Sequence, residues 1–256
     1  MQESSLNETK IQEFNENEIF SNIKVPPKLP LFIRLDGWKF RELTEKPEIK
    51  KPFDKKIAQC LVLSAKNIMK TFAPTLSYII SDEINILFTK QIPFNGRIEK
   101  INSIISGAIS SSFSFNLNKI LGIKHLVAFD SRVITISEND ILSYLAWRQQ
   151  NGWRNHNNAY AYWMLRKMGN KPSEAAKKLK GLKTKQIHDM LMERGVNLAE
   201  TPQWERRGIL VYKEPYEKTI KGKVKVTRRK IVENWKLPIF TTSEGKNLIQ
   251  EILEST

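Results

Sequence analysis

Residues 29–40, LPLFIRLDGWKF, and residues 78–88, YIISDEINILF, decide the fold of this chain. Short runs of β-branched and apolar residues that end in turn residues predict buried strands. The first run ends in Asp36-Gly37, and the second is interrupted by a Ser-Asp-Glu turn at 81–83. If the two strands are neighbours, Asp36 and Asp82 meet at one end of a sheet, where their carboxylates repel unless a cation lies between them. The pattern indicates a divalent-metal site, although an Asp-Gly pair after a strand is also an ordinary turn.

Helical periodicity places a helix after each of the two runs. From Pro52, which suits a first helical turn, apolar residues recur every three or four positions until Pro74 ends the helix. Residues 97–113 predict a second helix, and residues 126–136 predict another strand. The order strand, helix, strand, strand, helix, strand is the split βαβ pattern of a ferredoxin-like antiparallel sheet. We therefore predict an α+β fold for residues 29–137.

The second half of the chain is predicted to be helical, with a β-hairpin. A capping-box-like segment at 137–140 begins a long helix that Gly169 ends, and two shorter helices follow at 173–179 and 185–194. Residues 208–213 and 223–229 alternate apolar and polar groups, which predicts the hairpin. We expect three parts: an extension at 1–28, the sheet domain at 29–137, and a helical and β-hairpin part at 138–256 that packs on it.

The charge of the chain favours a polyanionic partner. Its 256 residues include 42 Lys and Arg but only 27 Asp and Glu, a net charge of +15. Nucleic acid is the usual partner of such a field, although a merely Lys-rich soluble protein is the plain alternative. The basic segments 166–185 and 213–236 predict phosphate contacts or, alternatively, solvated faces.

Composition also excludes several classes of protein. A single cysteine, Cys60, allows neither an intrachain disulfide nor a cysteine-cluster metal site. No apolar run reaches about 18 residues, so we expect no membrane span. The N-terminal residues are polar and acidic, unlike a signal peptide, and we expect a cytoplasmic protein.

Six motifs in order give the chain a specific resemblance. They are RLDGWKF at 34–40, KPFD at 51–54, SDE at 81–83, FDSRV at 129–133, WRQ at 147–149 and RRGILVYKE at 206–214. In order and spacing they resemble the tRNA-histidine guanylyltransferase family, including its archaeal and bacterial "like" proteins, over about residues 29–235. Members of that family extend RNA at its 5′ end, in the 3′→5′ direction. The resemblance implies a polymerase palm, a ferredoxin-like antiparallel sheet with helices on one face, as the catalytic domain at 29–137.

The resemblance also implies where two Mg²⁺ ions bind. In the family, the carboxylates of the RLDG and SDE motifs and the glycine carbonyl are the ligands, which here are Asp36, Asp82 and Gly37. Glu83 is expected on the other side of its strand, and it joins the metal residues if the turn twists it inward.

Nucleotide phosphates need cations and hydrogen-bond donors. Arg97 and Lys100 lie one turn apart at a predicted helix N-terminus, which itself favours phosphate. Lys51 matches the lysine of a KPND-like family motif in which Phe53 here replaces Asn. The candidate residues for nucleotide and phosphate binding are Lys51, Ser81, Arg97, Lys100 and Arg132. Each base alone is also compatible with a solvated charge.

One segment departs from the eukaryotic family pattern. After WRQ the eukaryotic enzymes carry HINNLYN, whereas residues 153–161 here read WRNHNNAYA, and two registers are possible. This form resembles the archaeal-type members and favours template-directed addition. The polar residues of this segment and the basic groups downstream are the candidates for tRNA binding: Arg154, His156, Asn157, Asn158, Lys177, Lys178, Arg206, Arg207, Lys223, Arg228 and Arg229.

The resemblance implies a template-dependent 3′→5′ nucleotidyltransferase that acts on tRNA, for 5′-end repair or G addition to tRNA-His. GTP or another NTP is added, and ATP activates the 5′ end. We expect Mg²⁺ as cofactor, no membrane, and a homo-oligomer, either a dimer or a tetramer. Two alternatives stay open, namely another palm-type nucleotidyltransferase or cyclase and a non-catalytic tRNA-binding protein.

Overall fold

A computed structural model of the chain describes Lys10, Phe14, residues 16–220 and residues 224–255. Six strands in this part of the chain form a single antiparallel sheet in the order β4-β1-β3-β2-β5-β6. The strands are β1 (Leu31–Trp38), β2 (Leu76–Ile80), β3 (Glu83–Phe88), β4 (Ala128–Thr135), β5 (Ile209–Ile220) and β6 (Val224–Asn234).

Helices fill most of the remaining described chain. They are α1 (Phe40–Thr44), α2 (Lys55–Thr71), α3 (Ile98–Leu121), α4 (Ile141–Lys167), α5 (Pro172–Leu179), α6 (Thr184–Met192), α7 (Gln203–Arg207) and α8 (Ser243–Glu254). None of these helices combines the length and the apolar character that crossing a lipid bilayer requires.

The first four strands confirm the predicted ferredoxin-like palm. Their spatial order is β4-β1-β3-β2, with α2 following β1 and α3 following β3 along the chain. Alternate residues of β1, among them Leu31, Ile33 and Leu35, are fully buried against α2 and α3 on one face of the sheet. An α+β palm with its two helices on one face is therefore present.

The C-terminal part covers the opposite face and also extends the sheet. Phe32 of β1 stacks on Tyr144 of α4 with ring centroids 4.2 Å apart, and Tyr78 of β2 contacts Phe240 near α8. The predicted hairpin is confirmed as β5 and β6, and β5 pairs with β2, with Leu76 opposite Tyr212. Because the hairpin belongs to the palm's own sheet, the two parts share one sheet; the boundary at residue 137 stays a prediction.

Two helix boundaries differ from the sequence-based expectation. Helix α2 begins at Lys55 rather than at Pro52, because the Asp54 carboxylate accepts hydrogen bonds from the backbone N–H groups of Lys50 and Lys56 and caps the helix. Helix α3 continues to Leu121, past the predicted end at residue 113, and Gly122 ends it with a φ of 70°.

Candidate active site

Asp36 and Asp82 lie at the same end of the sheet, as the sequence predicts. Asp36 is near the end of β1, directly opposite Glu83, the first residue of β3. Asp82 immediately precedes Glu83 in the turn between β2 and β3, where Ser81 adopts a left-handed φ of 56° that reverses the chain. The antiparallel pairing of β1 with β3 therefore brings the two carboxylates together.

The surroundings of this pair oppose its ionisation. Burial, followed by the charge of Asp36, raises the pKa of Asp82 to about 6, although a hydrogen bond with Ser81 acts in the opposite direction. Burial raises the pKa of Asp36 as well, and the charges of Glu83 and Asp130 add to that increase. Two crowded carboxylates with raised pKa values bind a cation readily, because the cation removes their mutual repulsion.

Glu83 lies on the same face of the sheet as Asp36, because residues paired across an antiparallel ladder have side chains on the same face. Glu83 is 6 % exposed, and its carboxylate accepts hydrogen bonds from Nε and Nη2 of Arg148 and from the amide of Asn85. Arg34 Nε lies 3.9 Å from Oε2 of the same carboxylate. The hydrogen bonds from Arg148 attach Glu83 to α4, and its assignment as a metal residue stays a prediction.

Gly37 lies within β1, where the absence of a side chain allows the Phe40 ring to approach the strand closely. A Cβ at this position would lie 2.5 Å from the Phe40 ring, so a side chain at position 37 would displace α1. The assignment of its carbonyl as a metal ligand stays a prediction.

Asp130 is an acidic neighbour of Asp36 that the sequence analysis did not single out. It lies on β4 directly opposite Asp36, and its Oδ1 is 3.8 Å from Arg132 Nε. Both residues belong to the FDSRV motif, from which only Arg132 was singled out. The alternation of Asp130 and Arg132 along one strand face was the signal that would have identified it.

The carboxylates at this edge of the sheet suit a Mg²⁺ ion that is also coordinated by water and substrate. They do not suit a metal ion that is coordinated by protein side chains alone. Among the described residues, no three His, Cys, Asp or Glu side chains are arranged to hold a metal ion. Mg²⁺ commonly binds through one or two carboxylates together with water and substrate phosphates. Asp36 and Asp82 supply that number of carboxylates.

A cavity of about 230 Å³ opens beside Asp82. Its walls come from the start of α2, the Ser81-Asp82 turn, α4 and α7, and they include the aromatic residues Phe53, Trp163 and Trp204. Apolar and aromatic walls next to a carboxylate pair suit a nucleotide whose base stacks while its phosphates approach the carboxylates.

The five predicted phosphate-binding residues lie at different places, and only Ser81 among them lines this cavity. Ser81 lines the cavity, whereas the Lys51 ammonium group donates to the Lys46 carbonyl and lies 5.2 Å from the centre of the Trp163 ring. Burial lowers the pKa of Lys51. Arg97 and Lys100 lie at the start of α3, which is attached to β4 by a 2.9 Å hydrogen bond from Ser131 to Asn102. Arg132 is exposed and is paired with Asp130, so all five roles stay predictions.

The structure divides the predicted tRNA-binding residues into three groups. The exposed residues are Arg154, Asn158, Lys177, Lys178, Arg228 and Arg229. Arg206 and Arg207 are half-buried, and Lys223 lies outside the described residues. His156 and Asn157 are 0 % and 1 % exposed, so the prediction that they contact RNA is wrong for this conformation.

His156 is instead the centre of an aromatic cluster. Phe53 and Trp153 both stack on the imidazole, with ring centroids at 5.7 Å and 5.1 Å, and Thr201 Oγ1 lies 3.0 Å from Nε2. Burial lowers the pKa of His156 to about 4, which keeps the ring neutral at physiological pH. Phe53 of the KPFD motif therefore has a structural role, because its ring packs on this buried histidine.

Comparison with known proteins agrees with this architecture. Residues 9–137 match the model of the tRNAHis guanylyltransferase family, and residues 139–246 match the model of the family's C-terminal domain. The tRNA(His) guanylyltransferase of Saccharomyces cerevisiae is 31 % identical over 196 residues, which cover 72 % of this chain and 83 % of the yeast protein. A probable tRNA(His) guanylyltransferase of Dictyostelium discoideum is 29 % identical over 214 residues, which cover 80 % of this chain and 84 % of that protein.

A solved structure shows the same arrangement in three dimensions. A bacterial tRNA(His) guanylyltransferase-like protein, solved in complex with ATP, superposes with a TM-score of 0.77 at 26 % identity, and the match covers 96 % of this chain and 98 % of that one. The palm, the C-terminal part and the family motifs all lie within these matches. The chain therefore belongs to the tRNAHis guanylyltransferase family of nucleotidyltransferases.

Proposed function

We propose that this protein adds nucleotides to the 5′ end of tRNA in the 3′→5′ direction, under the direction of the opposing base. The observation that carries the proposal is the carboxylate pair Asp36 and Asp82 at the end of the sheet, next to an aromatic cavity, in a chain of this family. The net charge of +15 supports an RNA substrate.

In the proposed reaction, ATP first transfers AMP to a 5′-monophosphate and releases pyrophosphate. The 3′-hydroxyl of an incoming NTP then attacks the 5′ α-phosphorus and releases AMP, and a 5′-triphosphate end reacts directly with release of pyrophosphate. Asp36 and Asp82 would hold two Mg²⁺ ions, which stabilise the charge on the attacking and leaving oxygens when they are bound.

The chain's own residues position these reactants. The aromatic walls at Phe53, Trp163 and Trp204 bind the base and exclude water from one side of the site. The Ser81 hydrogen bond orients the Asp82 carboxylate. Glu83, held by Arg148, supplies a fixed negative charge directly across the ladder from Asp36, which favours a cation at the pair.

The experiment that tests the proposal uses ³²P-labelled tRNAs that lack their first nucleotide. Each is incubated with ATP, Mg²⁺ and one NTP at a time. We expect extension only by the NTP that is complementary to the opposing base, and no extension by Asp82→Asn. Asp130→Asn is the matched control, because it changes an exposed carboxylate at the same edge of the sheet. This variant should keep most of the activity.

Two results would change the proposal in different ways. Extension of tRNA-His by GTP alone, whatever the opposing base, would replace templated repair with non-templated guanylyl addition. If no tRNA is extended while Mg²⁺ still stabilises the protein, the carboxylate pair serves a different reaction on the same palm.

A further inference from the structure

A second groove, of about 610 Å³, lies between α4, the end of α7 and the chain just before α8. Four of its lining residues, Ser143, Trp147, Gln150 and Trp153, lie on one side of α4 at spacings of three or four residues. This volume is typical of sites that bind small ligands or a single unit of a polymer. None of the groove's lining residues belongs to the cavity beside Asp82.

Two indole rings line the groove, and each contacts a neighbouring side chain that fixes its orientation. Trp153 stacks on His156 with ring centroids 5.1 Å apart and planes 15° apart. Trp147 lies 4.6 Å from the Arg148 guanidinium, measured to the ring centroid, yet 47 % of the residue is exposed. Fixed and partly exposed aromatic rings are the platforms on which proteins stack unpaired bases.

The charge of the groove suits a phosphate. Arg206 and Arg207 line it, and no lining residue is acidic. Arg206 forms no salt bridge within the described chain, and its Nε is buried without a hydrogen-bond partner. An anion in the groove would satisfy a guanidinium that the protein leaves unsatisfied.

The floor of the groove is already formed. Gln149 is 5 % exposed, and its amide donates to the carbonyls of Arg207 and Pro238 and accepts from the Phe240 N–H. This one side chain joins α4 to the end of α7 and to the segment before α8. Because these hydrogen bonds exist without a ligand, binding requires little rearrangement.

We propose that this groove binds an unpaired nucleotide of the bound RNA, taken from the single-stranded 3′ end that adjoins the 5′ end of a tRNA. The indoles stack on the base, and Arg206 contacts its phosphate. Gln150 in the groove and Ala159 in the cavity beside Asp82 lie nine positions apart on α4, which is about 14 Å along the helix axis. The groove is thus near the reaction site without being part of it. This inference rests on the proposed function.

The test measures the affinity of the full-length protein for tRNA with and without its unpaired 3′ nucleotides. We expect the wild type to bind intact tRNA about tenfold more tightly than trimmed tRNA, as base stacking on indoles predicts. Gln150→Glu, which places a carboxylate in the groove, should abolish that difference and leave the affinity for trimmed tRNA within about twofold. Asn155→Asp makes the same charge change at an exposed position of α4 outside the groove, and it should keep the difference.

A free nucleotide has the same chemistry as the end of an RNA, so ATP is titrated without RNA as a second arm. Equal ATP affinity of the wild type and Gln150→Glu supports the assignment to RNA, whereas weaker ATP binding by the variant overturns it. Equal binding of intact and trimmed tRNA by the wild type overturns this inference alone. If the protein binds no tRNA at all, the proposed function fails, and this inference fails with it.

Discussion

At the scale of single residues, the half-buried Asp82 and the buried His156 have pKa values that are shifted towards the neutral form of each side chain. Burial raises the pKa of Asp82 to about 6 and lowers that of His156 to about 4. The raised Asp82 pKa favours folding at low pH, and this stabilisation is lost as the pH rises from about 4 through 6. The lowered His156 pKa acts oppositely, since stability is lost as the pH falls through the same range. The two effects partly cancel in the wild type, so variants are needed to separate them.

Asp82→Asn should stabilise the metal-free protein at neutral pH. The substitution removes the cost of keeping Asp82 ionised beside Asp36, which is about 1–3 kcal/mol for a shift of this size. In EDTA at pH 7.5 we expect a higher midpoint of thermal unfolding than in the wild type, and at pH 4 we expect the two proteins to agree. Mg²⁺ should raise the midpoint of the wild type but not that of the variant.

Asp130→Asn is the control for this prediction, because Asp130 is an exposed carboxylate at the same edge of the sheet. Its midpoint should follow the wild type in EDTA and should still rise with Mg²⁺. A variant at position 82 that is less stable than the wild type at pH 7.5 would show that Asp82 is not under electrostatic strain.

At the scale of elements, α4 is the helix that connects the palm to the C-terminal part, and it passes close to the sheet at Gly152. A Cβ at position 152 would overlap the side chain of Ile80, the last residue of β2. Ile80 is followed by the Ser81-Asp82 turn, so a displacement at Gly152 would be transmitted to the candidate metal ligand.

Gly152→Ala should therefore destabilise the protein by about 1–3 kcal/mol, because overpacking forces the helix away from the sheet. Urea unfolding measures that change, and the tRNA-extension rate should fall with it. Gly107→Ala on the exposed side of α3 is the matched control, since nothing lies within 4 Å of its added methyl group. There we expect a gain of about 0.5–1 kcal/mol from helix propensity. Equal effects at the two positions would argue against a close contact at Gly152.

The buried ion pair between Arg148 and Glu83 is the second attachment of α4 to the sheet. Arg148→Met leaves Glu83 buried without its main partner, which should cost about 2–4 kcal/mol, because Arg34 compensates only in part. Adding Glu83→Gln to Arg148→Met removes the stranded charge and should recover part of that loss. Urea unfolding of both single variants and the double variant gives the coupling energy, which should be about 0.5–3 kcal/mol. Additive effects would mean that the pair does not hold α4 to the sheet.

The order of elements could be predicted because it depends on local periodicity. The apolar runs around Asp36 and Asp82 have the length and turn residues of buried strands, and α2 and α3 have helical spacing. The partners of Glu83 could not be predicted, because they depend on a register with β1 and on a contact with α4 that local sequence does not encode. Its partner Arg148 lies 65 residues further along the chain. His156 was assigned to the surface because its sequence neighbours are polar, whereas Phe53, which buries it, comes from a distant segment.

At the scale of the whole molecule, the positive charge is distributed unevenly over the part that the structure describes. The carboxylates Asp36, Asp82, Glu83 and Asp130 lie together at one end of the sheet, while exposed lysines lie on the helices that pack beside α4. A polyanion that extends from the active site over α5 would meet Lys177 and Lys178. Both side chains are exposed, and only Lys178 has a side-chain hydrogen bond, to Asn170.

The affinity for tRNA should therefore depend steeply on salt, and the dependence should weaken when these lysines are removed. Each phosphate contact contributes a slope of about −0.7 to −0.9 to the plot of log affinity against log salt concentration. The double substitution Lys177→Gln and Lys178→Gln should make that slope shallower by about 1.5 units if both lysines contact phosphates. Lys119→Gln with Lys124→Gln makes the same charge change at exposed positions at and beyond the C-terminal end of α3, and it should leave the slope within about 0.5 unit of the wild type. If the two double variants change the slope equally, tRNA responds to the total charge of the protein and not to a defined track along α5.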